Sequence, residues 1–320
     1  MAAIEADQIV KTYPGDVRAL DGLTFSVPEN TVFGLLGPNG AGKTTAVKIL
    51  TTLSRADSGI ARVAGHDVVS DPAAVQRAIG VVHQKHSVDI ALTGRENLRL
   101  QGRIFGMGGR SLEQRVQHLL EQVGLAEAAD RVARGYSGGM QRRLDIAMAL
   151  VHRPSVIFLD EPTTGLDPEV RVAMWQEIER LRGDEGLAIL LTTHYLEEAD
   201  RLAANLAIVD KGRVVASGTP ESLKGELAGD SVHVELANGA VDGALGALQD
   251  LEGVREVTVD GRTIRARVEH GARAVPLVLQ ALDESGLSAE SVTVSRASLD
   301  DVYMRYTGRS FEEADQETTR

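Results

Sequence analysis

The chain has 320 residues, 43% hydrophobic and 25% charged, with no cysteine and a net charge of −12. That length allows two domains with a sizeable core, and the lack of cysteine excludes disulfides, thiol catalysis and zinc–thiolate sites and fits a reducing compartment. Residues 1–220 carry 27 acidic and 24 basic side chains, and residues 221–320 carry 19 and 10, so the acidic last third argues against nucleic acid or anionic lipid as a direct ligand.

No apolar run approaches the ~18 residues of a membrane-spanning helix. The start, MAAIEADQIV, lacks the basic and long apolar regions of a signal peptide. The sequence predicts a protein made and kept in the cytoplasm. It would reach the cytoplasmic face of the cell membrane only through a partner.

In chain order, IEADQIVKTY (4–13) and LTFSVPENTVFGLLG (23–37) read as strands, the second stretch turning at Pro28-Glu29-Asn30. Gly42 to Leu53 is helix-like. Residues 60–82 hold short Val, Ile and Ala segments that end in AIGVVHQ. From about 93 to 152 the pattern is helical, with Leu112, Val116, Leu119, Leu120 and Val123 at helical spacing. SVIFLDEP (155–162) and LAILLTTH (187–194) are buried-type strands either side of a helix over 169–182. NLAIVDKGRVVASG (205–218) reads as a hairpin about Asp210-Lys211-Gly212. Alternating buried strands and helices predict a mainly parallel α/β core over residues 1–225, interrupted by a helical subdomain near 88–152.

Around Gly225–Asp230 the pattern changes to strand, helix (241–250), strand, a turn at Asp260-Gly261, strand, helix (273–285), strand. That βαββαβ order predicts a small ferredoxin-like α+β domain over 228–307. A last helix begins at a Ser298 cap, and residues 308–320 read as a polar, flexible tail.

The first chemical motif is GPNGAGKTT, Gly37 to Thr45, between the apolar strand VFGLL and a helix. Gly37, Gly40 and Gly42 let the backbone N–H groups of a loop that also holds Pro38, Asn39 and Ala41 converge on one concavity. The helix start adds its positive end. Lys43 can reach β- and γ-phosphates, and Thr44 offers a hydroxyl to Mg²⁺. This is a complete Walker A loop and predicts phosphate binding. VIFLDE then delivers Asp160 at the end of a buried strand, where it would hold Mg²⁺ through water. Glu161 lies beside it, placed to orient and deprotonate an attacking water.

A second such loop is YSGGMQRR, residues 136–143. Ser137 fits a helix N-cap, and Gly138 and Gly139 allow close approach to a ligand. One nucleotide has one γ-phosphate, so the economical arrangement is a head-to-tail dimer in which this loop caps the ATP of a second copy.

Across residues 4–220 the chain resembles the ATP-binding subunits of ABC transporters. The resemblance implies ATP and Mg²⁺ as cofactors and further roles by position. Tyr13 would stack on adenine. Gln84 would be the Q-loop glutamine that senses Mg²⁺ and contacts the membrane subunit. Ser137, Gly138, Gly139, Met140 and Gln141 would form the signature loop. Asp167, in Gly165-Leu166-Asp167, would belong to the D-loop, and His194 would be the switch histidine on the γ-phosphate. The usual signature has Leu first and Gln fifth; here Tyr136 and Met140 stand there.

YSGGM, LTGRENL (92–98), the appended C-terminal domain and the ending SLDDVYMRYTGR resemble the daunorubicin/doxorubicin resistance ATP-binding family of drug-efflux transporters. That resemblance implies an ATPase subunit paired with a separate membrane permease, exporting a hydrophobic or amphipathic compound. A lipid or polysaccharide transporter and a soluble, non-transport ABC ATPase are the alternatives. The C-terminal domain, with no catalytic constellation of its own, is expected to extend the dimer interface or to regulate.

Overall fold

The computed structural model describes residues 2–185, 187–227, 229–237, 246, 248, 251 and 253–317. The chain forms two compact units, Met1–Pro220 with Phe311–Arg320, and Glu221–Ser310.

In the first unit, β1 (Ala2–Tyr13), β2 (Val17–Pro28), β4 (Ser58–Val63) and β5 (His66–Asp67) form an antiparallel sheet in the order β2-β1-β4-β5. A six-stranded sheet orders β10 (Arg213–Gly218), β9 (Asn205–Asp210), β3 (Val32–Leu36), β8 (Ala188–Thr193), β7 (Val156–Asp160) and β6 (Ile79–Val82), with only β10 antiparallel. Helices α1 (Lys43–Leu50), α2 (Pro72–Ala78), α6 (Pro168–Glu185) and α7 (Leu196–Leu202) connect these strands.

Every residue of β3, β7 and β8 is buried. A strand covered on both faces needs no polar alternation, which is why these stretches read as unbroken apolar runs. Two of the runs end in polar residues, Asp160 and Thr192-Thr193. The polar groups therefore collect at the C-terminal edge of the parallel strands, the edge at which such sheets take ligands.

The turn at Pro28-Glu29-Asn30 does not join two paired strands. It carries the chain from the antiparallel sheet to the parallel one, with Asn30 in the left-handed region at φ 55°. Helix α2 lies in a stretch read only as short Val, Ile and Ala segments. Its signals are local: Asp71 caps it, accepting the Ala74 N–H at 3.2 Å, and Pro72 sits in its first turn.

The helical layer is α3 (Gly94–Ile104), α4 (Gly109–Gln122) and α5 (Gly138–Leu150). Thr93 and Glu96 start α3 with a reciprocal capping box. Leu112, Val116, Leu119 and Leu120 bury one face of α4 in a core shared with Leu98, Leu144 and Leu150. At about 1.5–3 kcal/mol for each fully buried large side chain, this face fixes the layer.

Helix α8 (Pro220–Gly225) spans the junction to the second unit. There β11 (Asp230–Leu236), β12 (Val254–Asp260), β13 (Thr263–Val268) and β14 (Ala289–Arg296) pair antiparallel in the order β12-β13-β11-β14. This is the ferredoxin-like strand order. Val232, Val234, Leu236, Ile264 and Val268 form one core with Val278 and Leu282 of α9 (Gly271–Glu284). The helix expected over 241–250 lies outside the described residues apart from 246 and 248. Helix α10 (Leu299–Thr307) starts at a Ser298–Asp301 capping box.

The C-terminal segment differs from the flexible tail expected over 308–320. Phe311–Glu317 is a helix, α11, with Phe311 and Ala314 buried, and it belongs to the first unit. Two apolar residues three apart give it an inner face, which a mainly acidic heptapeptide conceals.

Candidate nucleotide site

The Walker A loop joins β3 to α1 at the C-terminal edge of the parallel sheet. Gly37 donates to the Thr193 carbonyl at 3.2 Å. A Cβ on Gly37 would strike the Val209 carbonyl. One on Gly42, at φ 107°, would lie 2.5 Å from the Ala19 carbonyl. These two positions need glycine for space, and Gly42 also for its backbone. The Gly212 N–H bonds the Ala41 carbonyl and the Asp21 N–H bonds the Gly212 carbonyl, so the hairpin turn between β9 and β10 buttresses the loop.

Lys43 is 4% exposed. Its Nζ donates to the Gly37 and Pro38 carbonyls at 2.6 and 2.9 Å and lies 3.5 Å from Glu161 Oε1. Burial pushes its pKa down, against the pull of Glu161. A lysine folded onto the carbonyls of its own loop is a cation held where phosphate oxygens would arrive.

Asp160 is buried at the end of β7, and its Oδ1 accepts the Thr192 hydroxyl at 2.6 Å. Glu161 follows with φ 49°. Its N–H is shared between the Thr192 carbonyl and Thr192 Oγ1, both at 3.1 Å. Its Oε2 accepts from Thr164 Oγ1 at 3.2 Å and lies 3.2 Å from His194 Nδ1. That imidazole contact has ion-pair distance without hydrogen-bond alignment. Burial pushes the Glu161 carboxyl up, but His194, Lys43 and Thr164 together outweigh it. The net is a carboxyl below its ordinary range.

These residues fit ATP and Mg²⁺. The glycine cradle has no room for side chains, and a buried lysine and a buried carboxylate face each other across it. Among the described residues no three acidic or histidine side chains gather as a metal cluster. Mg²⁺ would need none, since it takes one or two protein oxygens plus phosphate and water, and Thr44 and Asp160 are the residues that would supply them.

The signature loop is built differently. Ser137 and Gly138 are exposed at the start of α5, where Ser137 Oγ accepts the Met140 N–H at 3.3 Å. A Cβ on Gly139 would lie 2.8 Å from Val170 Cγ1. Met140 Sδ lies 3.4 Å from Arg131 Nη2, and Gln141 Nε2 reaches the Ala133 carbonyl at 3.5 Å. Tyr136 is buried, its hydroxyl donating to the Ala128 carbonyl at 2.6 Å where Gly94 leaves space.

No hydrogen bond or ion pair among the described residues joins Ser137–Gln141, Tyr13, Gln84 or Asp167 to the Lys43–Glu161–His194 cluster. Tyr13 is half-buried at the end of β1, beside Lys11. Gln84 and Asp167 are exposed.

Four residues that the sequence did not single out hold the site. Thr192 bridges Asp160 and Glu161. Arg142, buried on α5, donates to the His83 carbonyl at 2.5 Å and the Pro162 carbonyl at 2.8 Å. Asp145, one turn on, meets His86 Nδ1 at 2.6 Å and accepts the Ser87 N–H at 2.9 Å. The segment around Gln84 is thus clamped to the helix that begins at the signature loop. Glu198 accepts from Thr163 Oγ1 at 2.7 Å and Trp175 Nε1 at 3.0 Å. For Arg142, Asp145 and Glu198 the available signal was charge among the apolar residues of a helix, which is rarely buried without a partner; Thr192, in an apolar strand, gave none.

In the second unit, a polar cavity of about 300 Å³ is lined by Arg265, Arg267, Arg305, Glu256 and Asp301. Buried Arg267 has Glu256 and Asp301 at 3.8 and 3.7 Å. The carboxylates oppose the guanidinium charge, and in the same lining Ser231 Oγ donates to Asp301 Oδ1 at 3.4 Å.

A parallel sheet with a Walker A loop, an Asp-Glu pair and a helical layer that carries Ser-Gly-Gly defines an ABC-type ATPase. The ABC transporter family model matches residues 20–164. A second, ATP-binding protein DrrA1-3-like, C-terminal domain, matches residues 218–307. The chain is 47% identical over 306 residues to the daunorubicin resistance ATP-binding protein DrrA3 of Streptomyces coeruleorubidus, covering 96% of each chain. It is 44% identical to the daunorubicin/doxorubicin resistance ATP-binding protein DrrA of Streptomyces peucetius, covering 98% of this chain and 97% of that one. A solved ATP-binding subunit of an ABC transporter superposes with a TM-score of 0.62 at 28% identity, covering 70% of this chain and 92% of that one. The chain belongs to the daunorubicin/doxorubicin resistance ATP-binding family of ABC transporters, and it is an ATPase subunit.

Proposed function

We propose that the chain powers export of a hydrophobic, drug- or antibiotic-like compound through a separate membrane permease, working as a head-to-tail dimer on the cytoplasmic face. The observation that carries the dimer is the contrast within one subunit. The Lys43–Glu161–His194 cluster is buried and interconnected, whereas Ser137 and Gly138 face outward with no nucleotide loop of their own chain bonded to them. Among the described residues no helix is long and apolar enough to cross a membrane. A cleft of about 680 Å³ is a fitting seat for that permease. His83, Ser87, Gln101, Ile104 and Phe105 are among its lining residues, and it adjoins the clamped Gln84 segment.

In the working site Glu161 takes a proton from the attacking water. Its depressed pKa keeps it ionised for that at neutral pH. Lys43 exchanges the carbonyls of Gly37 and Pro38 for phosphate oxygens, and His194 stands on the other side of Glu161 to stabilise developing charge. Tyr13 holds the base, and Ser137, Gly138 and Gly139 of the second copy close the site near Asp167. Thr44, Asp160 and Gln84 would hold Mg²⁺, which would supply neutralisation of the phosphate charge.

The test is purification of the tagged chain from native membranes with mass spectrometry of what accompanies it. Recovery of a protein with several ~20-residue apolar spans, whose deletion together with this chain sensitises cells to the same compound, is the expected result. Recovery of ribosomal or DNA-repair proteins with nothing membrane-spanning would overturn transport.

A further inference from the structure

The chain places a carboxylate of its own on the phosphate loop. Helix α11 follows the second unit in sequence but belongs to the first. Phe311 and Ala314, 6% and 1% exposed, are buried three residues apart, about one helical turn, and so fix the helix by one face. Asp315, the next residue, is half-buried, and its Oδ1 accepts the Asn39 N–H at 2.8 Å. Asn39 is the third residue of GPNGAGKTT. Asp315 is also close enough to Lys43 for its charge to act on that lysine. A loop N–H and the loop lysine are the groups with which an anion cradle holds phosphate oxygens.

We infer that α11 is an autoinhibitory plug, with Asp315 standing in for a phosphate oxygen on the Walker A loop until a nucleoside di- or triphosphate displaces it. The inference rests on the reading of residues 37–45 as the phosphate loop. Three physical points carry it. A side-chain carboxylate carries one negative charge and is a weaker ligand for a cationic cradle than a polyphosphate that carries several, so the plug sets a threshold and not a block. FEEADQE has four acidic residues in seven, and like-charge repulsion drives such a helix away once phosphates occupy the cradle. A seven-residue helix is marginal by itself in water, so undocking is coupled to melting. The helix joins the second unit at Ser310, so its release reports nucleotide occupancy at that unit's C-terminal junction.

The test uses the full chain, whose lack of cysteine allows one label at the exposed Gln316 (Gln316→Cys with a nitroxide). Adding ADP or ATP·Mg²⁺ should mobilise the label, with a midpoint that matches nucleotide binding. Asp315→Ala keeps a good helix former and Phe311→Ala loosens the buried face. Each should mobilise the label without nucleotide and lower the Kd for ADP by about 3–10-fold, the effect of losing a competing charged contact of modest net strength. A label unmoved by saturating nucleotide, or a Kd unchanged or raised in both variants, overturns the plug alone. A folded wild-type chain that binds neither ADP nor ATP overturns the loop assignment and the plug with it.

Discussion

Two glycine-rich loops open helices in the first unit, and they differ in what surrounds them. Gly37 to Lys43 is backed by the Val209 and Ala19 carbonyls and the Gly212 turn, with its lysine buried against Glu161. Ser137 and Gly138 face solvent, and their helix is anchored further along by Arg142 and Asp145. The residue types are alike, and both helix starts offer N–H groups and a positive dipole end. The difference is completeness. The first loop has Lys43, Glu161 and the buried Asp160 gathered within one chain. The second has an anchored helix and, among the described residues, no hydrogen bond or ion pair to that cluster. On the proposed dimer, burial more than motif would distinguish the half-site that a subunit completes from the half-site it would offer to another copy.

Breaking the first half should have the largest effect. Glu161→Gln keeps the shape and removes the base, so steady-state ATPase should fall by about 10²–10⁴-fold while ATP binding survives. Light scattering should then find an ATP-dependent dimer. Near-normal turnover in this variant would remove Glu161 from its role. The acid limb gives a separate check. Because the folded carboxyl lies below its ordinary range, its contribution to stability is complete above the unfolded pKa of ~4.3. It is lost as pH falls through the lower folded value. ATPase over pH 6–8 should therefore show no titration from Glu161, and a wild-type limb near pH 6 that moves in Glu161→Asp, which keeps a carboxylate base, would contradict that.

Breaking the second half should cost less and leave the first intact. Ser137→Ala removes both a helix cap, worth about 1 kcal/mol, and the outward hydroxyl. Ser137→Asn restores the cap without that hydroxyl. Both should lower ATPase by roughly tenfold to a hundredfold, only the alanine variant should lose stability, and the Kd of the isolated subunit for ADP should stay at its wild-type value in each. If ADP affinity dropped in step with ATPase, the loop would be serving its own chain's nucleotide and the comparison would collapse.

What the sequence made legible was local. The buried strands are apolar runs because both faces are covered, GPNGAGKTT needs its glycines for sterics visible in the motif, and Leu112, Val116, Leu119 and Leu120 keep helical spacing. What it hid depends on distant partners. Thr192 looks like the continuation of a strand, yet it holds both Asp160 and Glu161 at the end of the neighbouring strand. Nothing in YSGGMQRR marks Arg142 as buried, and its partners are carbonyls 59 and 20 residues away. Helix α2 has too few apolar residues to show a period. Helix α11 has an acidic composition that suggests a solvated tail, because only the fold supplies the surface that covers Phe311 and Ala314. The change of sheet at Pro28 was equally silent, since a turn to a new sheet and a turn within one use the same residues.

The smallest effect concerns Glu198, the buried carboxylate behind the first half-site. Burial raises its pKa, and the bonds from Thr193, Thr163 and Trp175 only partly offset that. The fold thus holds this proton more tightly than the unfolded chain does. Its stabilising influence is fully present below the unfolded pKa of ~4.3 and is lost as pH rises through the raised folded value. Glu198→Gln carries no charge at any pH, and its amide oxygen can still accept from Thr163 and Trp175. The difference in melting temperature, variant minus wild type, should therefore grow by a degree or two between pH 5 and pH 8, since ~1 kcal/mol moves a domain of this size by about 2–4 °C. Glu198→Ala supplies the contrast. It leaves buried donors unpaired and should cost about 1–3 kcal/mol, lowering the melting temperature at every pH. A Glu198→Gln difference that shrinks as pH rises would mean that the carboxylate is stabilised by its charge, with Arg171 acting as its counter-ion more strongly than burial opposes it.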